Sequence, residues 1–181
     1  MCHCDIRRDL PGARTRTVAT AAAEAIALAL RLDAGYEIVD LSVLSRRLLL
    51  PEPSVAVEDA ADLVTSADLL HVASPTFKGT YTGLLKVFLD WLPCRGLERA
   101  AALPLLVMKS AQHALAVGVH LRPLLVELGA TVPTPGLAVL EADLGRLDAV
   151  LQPWARGAAG LLTDRLARAR LDRRQAAALP A

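Results

Sequence analysis

Leu69-Leu70-His71-Val72-Ala73 runs straight into Ser74-Pro75-Thr76-Phe77-Lys78-Gly79-Thr80-Tyr81, and this stretch decides the fold. The first five residues are apolar apart from His71. An unbroken apolar strand is what a parallel sheet covered by helices on both faces requires. The next eight mix two aromatics, a cation, hydroxyls and a glycine before a helix predicted over Gly83 to Leu92, which Pro93 ends. A loop leaving the carboxyl end of a buried parallel strand is where open α/β sheets bind ligands.

The same alternation continues on both sides. Upstream, Thr15 to Leu32 is rich in alanine, the strongest helix former, and Tyr36 to Leu41 reads as a short strand. Ser42 to Ala56 is a connection broken by Pro51 and Pro53, and Val57 to Ala67 a short helix with Ala60, Ala61, Leu63 and Val64 inward. Downstream, Leu103 to Met108 is a second buried strand. Ala114 to Leu128 is a helix bent at Pro123 and stopped at Gly129, and Leu137 to Leu140 a last strand. Leu144, Leu147, Leu151, Trp154, Ala158 and Leu161 recur at three-four spacing, which predicts a closing amphipathic helix that Pro153 splits. With no internal repeat or linker, residues 1–181 are read as one doubly wound α/β domain. Residues 1–10 make an atypical start and 171–181 a frayed tail.

That start fits the scheme least. Met1 to Leu10 offers Cys2, Cys4 and Ile6 in alternation, with His3, Asp5, Arg7, Arg8 and Asp9 among them. The pattern suits an exposed or half-buried strand rather than a central parallel one.

Bulk properties narrow the function classes. The formal net charge is +1, so charge argues for no nucleic-acid partner. No stretch reaches the ~20 apolar residues that span a bilayer, so no membrane role is expected. Three cysteines make no disulfide framework, and a reducing cytoplasm is the expected compartment. Cys2-His3-Cys4 lacks the second ligand pair of a zinc site, so no metal is expected. Arg7-Arg8 ahead of Val18 to Leu30 imitates an export signal, but Glu24 interrupts the apolar run and no small-residue cleavage site follows.

Three loops then carry the candidate chemistry. Pro11-Gly12-Ala13-Arg14-Thr15 opens a helix, where free amides and the dipole favour a phosphate. Gly12 permits close backbone approach, while Arg14 and Thr15 add donors. In the second loop, Phe77 and Tyr81 are placed to border a planar ring. Amides near Thr76 can bond its polar edge, and Lys78 adds positive charge. Four of the six aromatics fall between Phe77 and Trp91. Phe88 and Trp91, three apart on a helix, read as core or subunit contacts. In the third loop, Lys109-Ser110-Ala111-Gln112-His113, Ser110 and the amides can touch a ligand, and His113 reads as an orienting residue.

Pro75 to Lys86, followed by Leu89-Asp90-Trp91-Leu92-Pro93, resembles the NAD(P)H-dependent FMN reductases, in particular the branch that serves sulfonate-utilising flavin monooxygenases. Leu103-Pro104-Leu105 through His113, Leu121 to Leu125 and Leu128-Gly129-Ala130 match in order and spacing, so the resemblance covers roughly residues 11 to 154. It implies a flavodoxin-like sheet of order 2-1-3-4-5 and FMN held across the three loops. The cofactor-binding set is Gly12, Ala13, Arg14, Thr15, Pro75, Thr76, Phe77, Lys78, Ser110 and Gln112. It also implies hydride transfer from NADPH or NADH to the flavin, with no catalytic side chain on the protein, and a monooxygenase that receives the reduced flavin. The chain departs from the family at Arg7-Arg8-Asp9-Leu10, where a glycine-led phosphate turn is usual, and at Ala13, where serine is. Phe77 replaces tyrosine, and Met108 and Lys109 replace glycines. Weakened FMN binding is therefore expected. The competing expectation is a flavodoxin-like subunit that has lost tight flavin binding and serves as an interaction or scaffold protein. A homodimer or homotetramer is expected from the helix bearing Phe88 and Trp91, which together would expose an apolar patch.

Overall fold

A parallel sheet needs a crossover between successive strands, and the helices that make those crossovers cover its two faces. The computed structural model describes residues 2–5, 14–32, 35–52 and 54–178, with the backbone alone at 2–5, 164 and 168–178. Its elements are β1 (Cys2–Asp5), α1 (Arg14–Leu30), β2 (Glu37–Asp40), α2 (Leu41–Leu44), α3 (Val55–Thr65), β3 (Leu69–Pro75) and α4 (Gly83–Leu89). There follow β4 (Ala101–Met108), α5 (Arg122–Glu127), β5 (Leu137–Leu140) and α6 (Leu147–Ala178). The sheet order is β2-β1-β3-β4-β5, every pair parallel, which is the order the flavodoxin-like resemblance implies.

The start of the chain departs from its reading. Cys2–Asp5, whose pattern suits no central parallel place, is an inner strand, bonded to β2 on one side and β3 on the other. Ladder hydrogen bonds join main-chain groups and ignore side-chain hydropathy, so a four-residue alternating segment can hold an inner place.

Burial follows the pleat. Leu69 and Ala73 of β3, with Leu103 and Leu105 of β4, join Val18 and Ile26 of α1 and Leu151 and Leu162 of α6. Leu70, Val72 and Leu106 join Val57, Phe88 and Leu125 on the opposite face. All eight residues of β4 are buried, so its sequence shows no alternation although its two faces meet different helices. His71 is fully buried and its ring meets Trp154 edge-on, with centroids 5.9 Å apart. The edge-on contact with an indole gives the buried imidazole an aromatic partner in the middle of an apolar strand.

Other differences have local causes. Where one bent helix was expected over Ala114 to Leu128, a 3-10 turn (Ala111–His113) and a π-helical turn (Val117–Leu121) precede α5. Pro123 lies in the first turn of α5, where its missing N–H costs little. Gly129 ends α5 at φ 92, with Gly129 N bonded to Val126 O at 2.9 Å and Ala130 N to Leu125 O at 3.0 Å. That paired closure is the glycine stop the sequence predicts. In α6 the buried face runs Leu151, Ala155, Ala158, Leu162, and Leu161 is exposed. A helix of 3.6 residues per turn brings 162 rather than 161 back to the core after 158. Residues 171–178, read as part of a frayed tail, continue α6.

Pro153 does not split α6, which passes through it unbroken. The proline removes one donor from the helix ladder and faces solvent. Pro153→Ala should therefore raise stability by about 1–2 kcal/mol. Urea unfolding followed by circular dichroism measures this, and an unchanged or lower midpoint would contradict it.

Candidate functional site

Because all five strands are parallel, their carboxyl ends, and with them the segments after β3, β4 and β5, lie along one edge of the sheet. Strand order reverses between β1 and β3, and the crevice at such a reversal is where open sheets bind ligands.

The segment after β3 is closed by backbone and side-chain hydrogen bonds. Thr76 N donates to Val107 O at 2.8 Å, extending the β3–β4 ladder by one residue. Phe77 and Thr80 exchange backbone bonds of 2.9 and 3.2 Å across Lys78 (φ 52) and Gly79 (φ 83). Two consecutive positive φ angles make a type I′ turn, which suits glycine and strains lysine. Fully buried Ser74 closes the loop, its Oγ donating to Pro75 O at 2.9 Å and accepting from Thr82 N at 3.1 Å. Thr82 caps α4, its Oγ1 accepting from Leu85 N at 3.4 Å. Pro75 and Thr76 are half-buried, while Phe77 and Lys78 are exposed at the tip. Tyr81, expected to border a ring, packs against the core cluster.

The loop after β4 meets this one. Ser110 Oγ accepts from Gln112 N at 3.3 Å, and His113 N donates to Ser110 O at 3.1 Å. A Cβ placed on Gly79 would stand 3.9 Å from His113 Cδ2, so the His113 ring borders the Lys78-Gly79 turn. Gln112 is exposed and Ser110 half-buried.

Gly12 and Ala13 of the expected first loop, with Arg7-Arg8-Asp9-Leu10 before them, lie outside the described residues. Arg14 and Thr15 open α1, with Thr15 buried. Arg14 Nη1 lies 2.6 Å from Glu141 Oε2 in the segment after β5. Arg16 lies 3.6 Å from Asp40 Oδ2 at the end of β2. The sequence reading missed both carboxylates, because ion pairs between distant segments leave no local pattern. Tyr36 precedes β2 at the opposite edge. Burial first, and then the Glu24 carboxylate, raise its phenol above the ordinary value.

Among the described residues, Thr76 Oγ1 is a buried polar atom at this edge that makes no hydrogen bond. An unsatisfied buried hydroxyl costs about 1–3 kcal/mol, and a ligand with a polar edge would relieve that cost. Phe88 and Trp91 do not form the expected surface patch. Phe88 is fully buried, and half-buried Trp91 donates its indole N–H to Leu48 O at 3.1 Å. Phe88 therefore has no surface to offer a partner subunit, and Trp91 offers only part of its ring. Among the described residues, no three His, Cys, Asp or Glu side chains group to hold a metal, and no helix is long and apolar enough to cross a membrane.

The family model described as NADPH-dependent FMN reductase matches residues 9–144. The FMN reductase (NADPH) of Escherichia coli is 40% identical over 77 residues, 42% of this chain and 40% of that protein. The counterpart from Pseudomonas putida strain KT2440 is 38% identical over 81 residues, 45% of this chain and 41% of its own length. The chain thus spans about two fifths of these two relatives. The NADH-dependent FMN reductase SfnE of Pseudomonas putida is 31% identical over 137 residues, 72% of each chain. Among solved structures, an oxidoreductase from Corynebacterium diphtheriae superposes with TM-score 0.75 at 26% identity, covering 90% of this chain and 97% of that one. The apo NADH:FMN oxidoreductase EmoB gives 0.68 at 27% identity, covering 85% and 87%.

Proposed function

This chain belongs to the NADPH-dependent FMN reductase family, and from that premise we propose that it transfers hydride from NADPH or NADH to FMN. The observation that carries the reading is the orphaned Thr76 hydroxyl, buried at the strand reversal between two loops that touch. An isoalloxazine ring has a polar edge that would satisfy that hydroxyl and a flat face for the exposed Phe77 tip. The residues thus fit the group.

When bound, FMN supplies the hydride chemistry itself, and the protein supplies binding and orientation. Pro75, Thr76, Phe77 and Lys78 would line the ring, with the Thr76 hydroxyl hydrogen-bonded to its polar edge. Ser110 and Gln112 would close the other side. Gly12, Ala13, Arg14 and Thr15 would hold the phosphate, where the start of α1 favours an anion. No side chain needs to act as nucleophile or general base. The reduced flavin would pass to a flavin-dependent monooxygenase in the cytoplasm, the compartment that holds reduced nicotinamide. A homodimer or homotetramer would draw on exposed Leu115, Val119 and Val126 rather than on buried Phe88.

The test is to mix the purified chain with FMN, desalt it, and record its absorption and its flavin-dependent oxidation of NADPH and NADH. A retained flavin band together with nicotinamide oxidation is expected. A protein that keeps no flavin and oxidises neither nucleotide would overturn the reading in favour of a flavin-free interaction subunit.

A further inference from the structure

Arg14 and Glu141 are 127 positions apart in sequence, yet Nη1 and Oε2 meet at 2.6 Å. Arg14 is the first residue of α1, and Glu141 is the first residue after β5. The pair sits at the rim, with Arg14 60% and Glu141 27% exposed. The first turn of α1 contains no acidic residue of its own. A helix start of that kind attracts an anion, and a fork-shaped guanidinium beside it is the usual recognition group for phosphate. Here the fork is already engaged by a carboxylate. Asp40 plays a different part beside Arg16. Its contact is longer, and Oδ1 also accepts from Ser42 N at 3.0 Å and Ser42 Oγ at 2.6 Å, which caps α2. Glu141 makes no other side-chain hydrogen bond among the described residues.

We propose that Glu141 sets how strongly this chain prefers the phosphorylated flavin, FMN, over riboflavin, by competing with the flavin phosphate for Arg14. The inference rests on the reading of the α1 start as the phosphate site. A phosphate arriving there must displace the carboxylate or share the guanidinium with it, and both anions then stand on one cation. Either course costs free energy only when the ligand carries a phosphate. Riboflavin has none and is indifferent to the pair. The effect is electrostatic at a half-exposed rim, so it is modest and salt screens it.

Glu141→Gln keeps the size of the side chain and removes its charge. Kd for FMN and for riboflavin would be measured by quenching of flavin fluorescence, at low and high salt. The FMN Kd is expected to fall about twofold to fivefold, the riboflavin Kd to stay unchanged, and the FMN gain to shrink with salt. In an Arg14→Met background the same substitution should no longer discriminate between the two flavins. If Glu141→Gln moves both flavins together or neither, or weakens FMN selectively, the inference falls while the FMN reductase reading stands. If the unaltered chain binds neither flavin, that reading falls and the inference with it.

Discussion

Phe88→Ala should cost about 3–5 kcal/mol of folding stability and leave the state of assembly unchanged. Phe88 is fully buried, packed in the cluster that holds Leu85, Leu89, Leu92 and Leu97. Truncation removes the transfer free energy of the ring and opens a cavity that the surrounding leucines fill only in part. Read from sequence with Trp91, the same residue suits either a core or a subunit contact. The two roles separate cleanly in experiment. A core role lowers the urea midpoint at every protein concentration. An interface role shifts the sedimentation coefficient and makes stability depend on concentration. A Phe88→Ala protein that dissociates without losing intrinsic stability would place the ring at an interface instead.

Gly79→Val should weaken FMN binding by about tenfold or more while changing global stability far less than Phe88→Ala does. The reason is conformational and not steric. A Cβ at Gly79 meets only His113 Cδ2, at an ordinary 3.9 Å, so space is available. The backbone, however, sits at φ 83, where a β-branched side chain is a genuine outlier. Residues held in that region cost about 1–3 kcal/mol, and a turn closed by two backbone bonds can relax by moving. The relaxation would displace Phe77 and Lys78, the tip proposed to line the flavin. Gly79→Asn, which tolerates positive φ, should retain most of the affinity. Fluorescence titration of FMN against the three proteins decides the matter. Equal affinities with an intact fold would remove this turn from the flavin site.

Local chemistry carried much of the molecule. Apolar runs marked β3, β4 and β5, and Gly129 marked the end of α5, because burial and positive φ each demand particular residue types. The Ser74 to Tyr81 segment announced itself by its composition and by its place after a buried strand. The resemblance then supplied the strand order, which no local pattern contains. Where reading failed, the deciding force was not local. Pro153 sits inside α6 because the packing of that helix on α1 and the sheet outweighs one missing hydrogen bond. Phe88 and Trp91 have the hydropathy of either a core or an interface, and only chain packing separates the two.

The sequence by itself determined the class of fold, the position of the loop between β3 and α4, and the family. These rest on hydrophobic runs, turn residues and motif spacing, all properties of neighbours in the chain. Tertiary structure decided that Cys2–Asp5, with its mixed polar pattern, supplies the inner first strand of that order, since its place rests on backbone ladders to β2 and β3. It also decided that Thr76 Oγ1 is buried without a partner and that Arg14 meets Glu141. Burial and ion pairing depend on which distant segments the sheet brings to one edge, and side-chain identity at a single position carries no record of that.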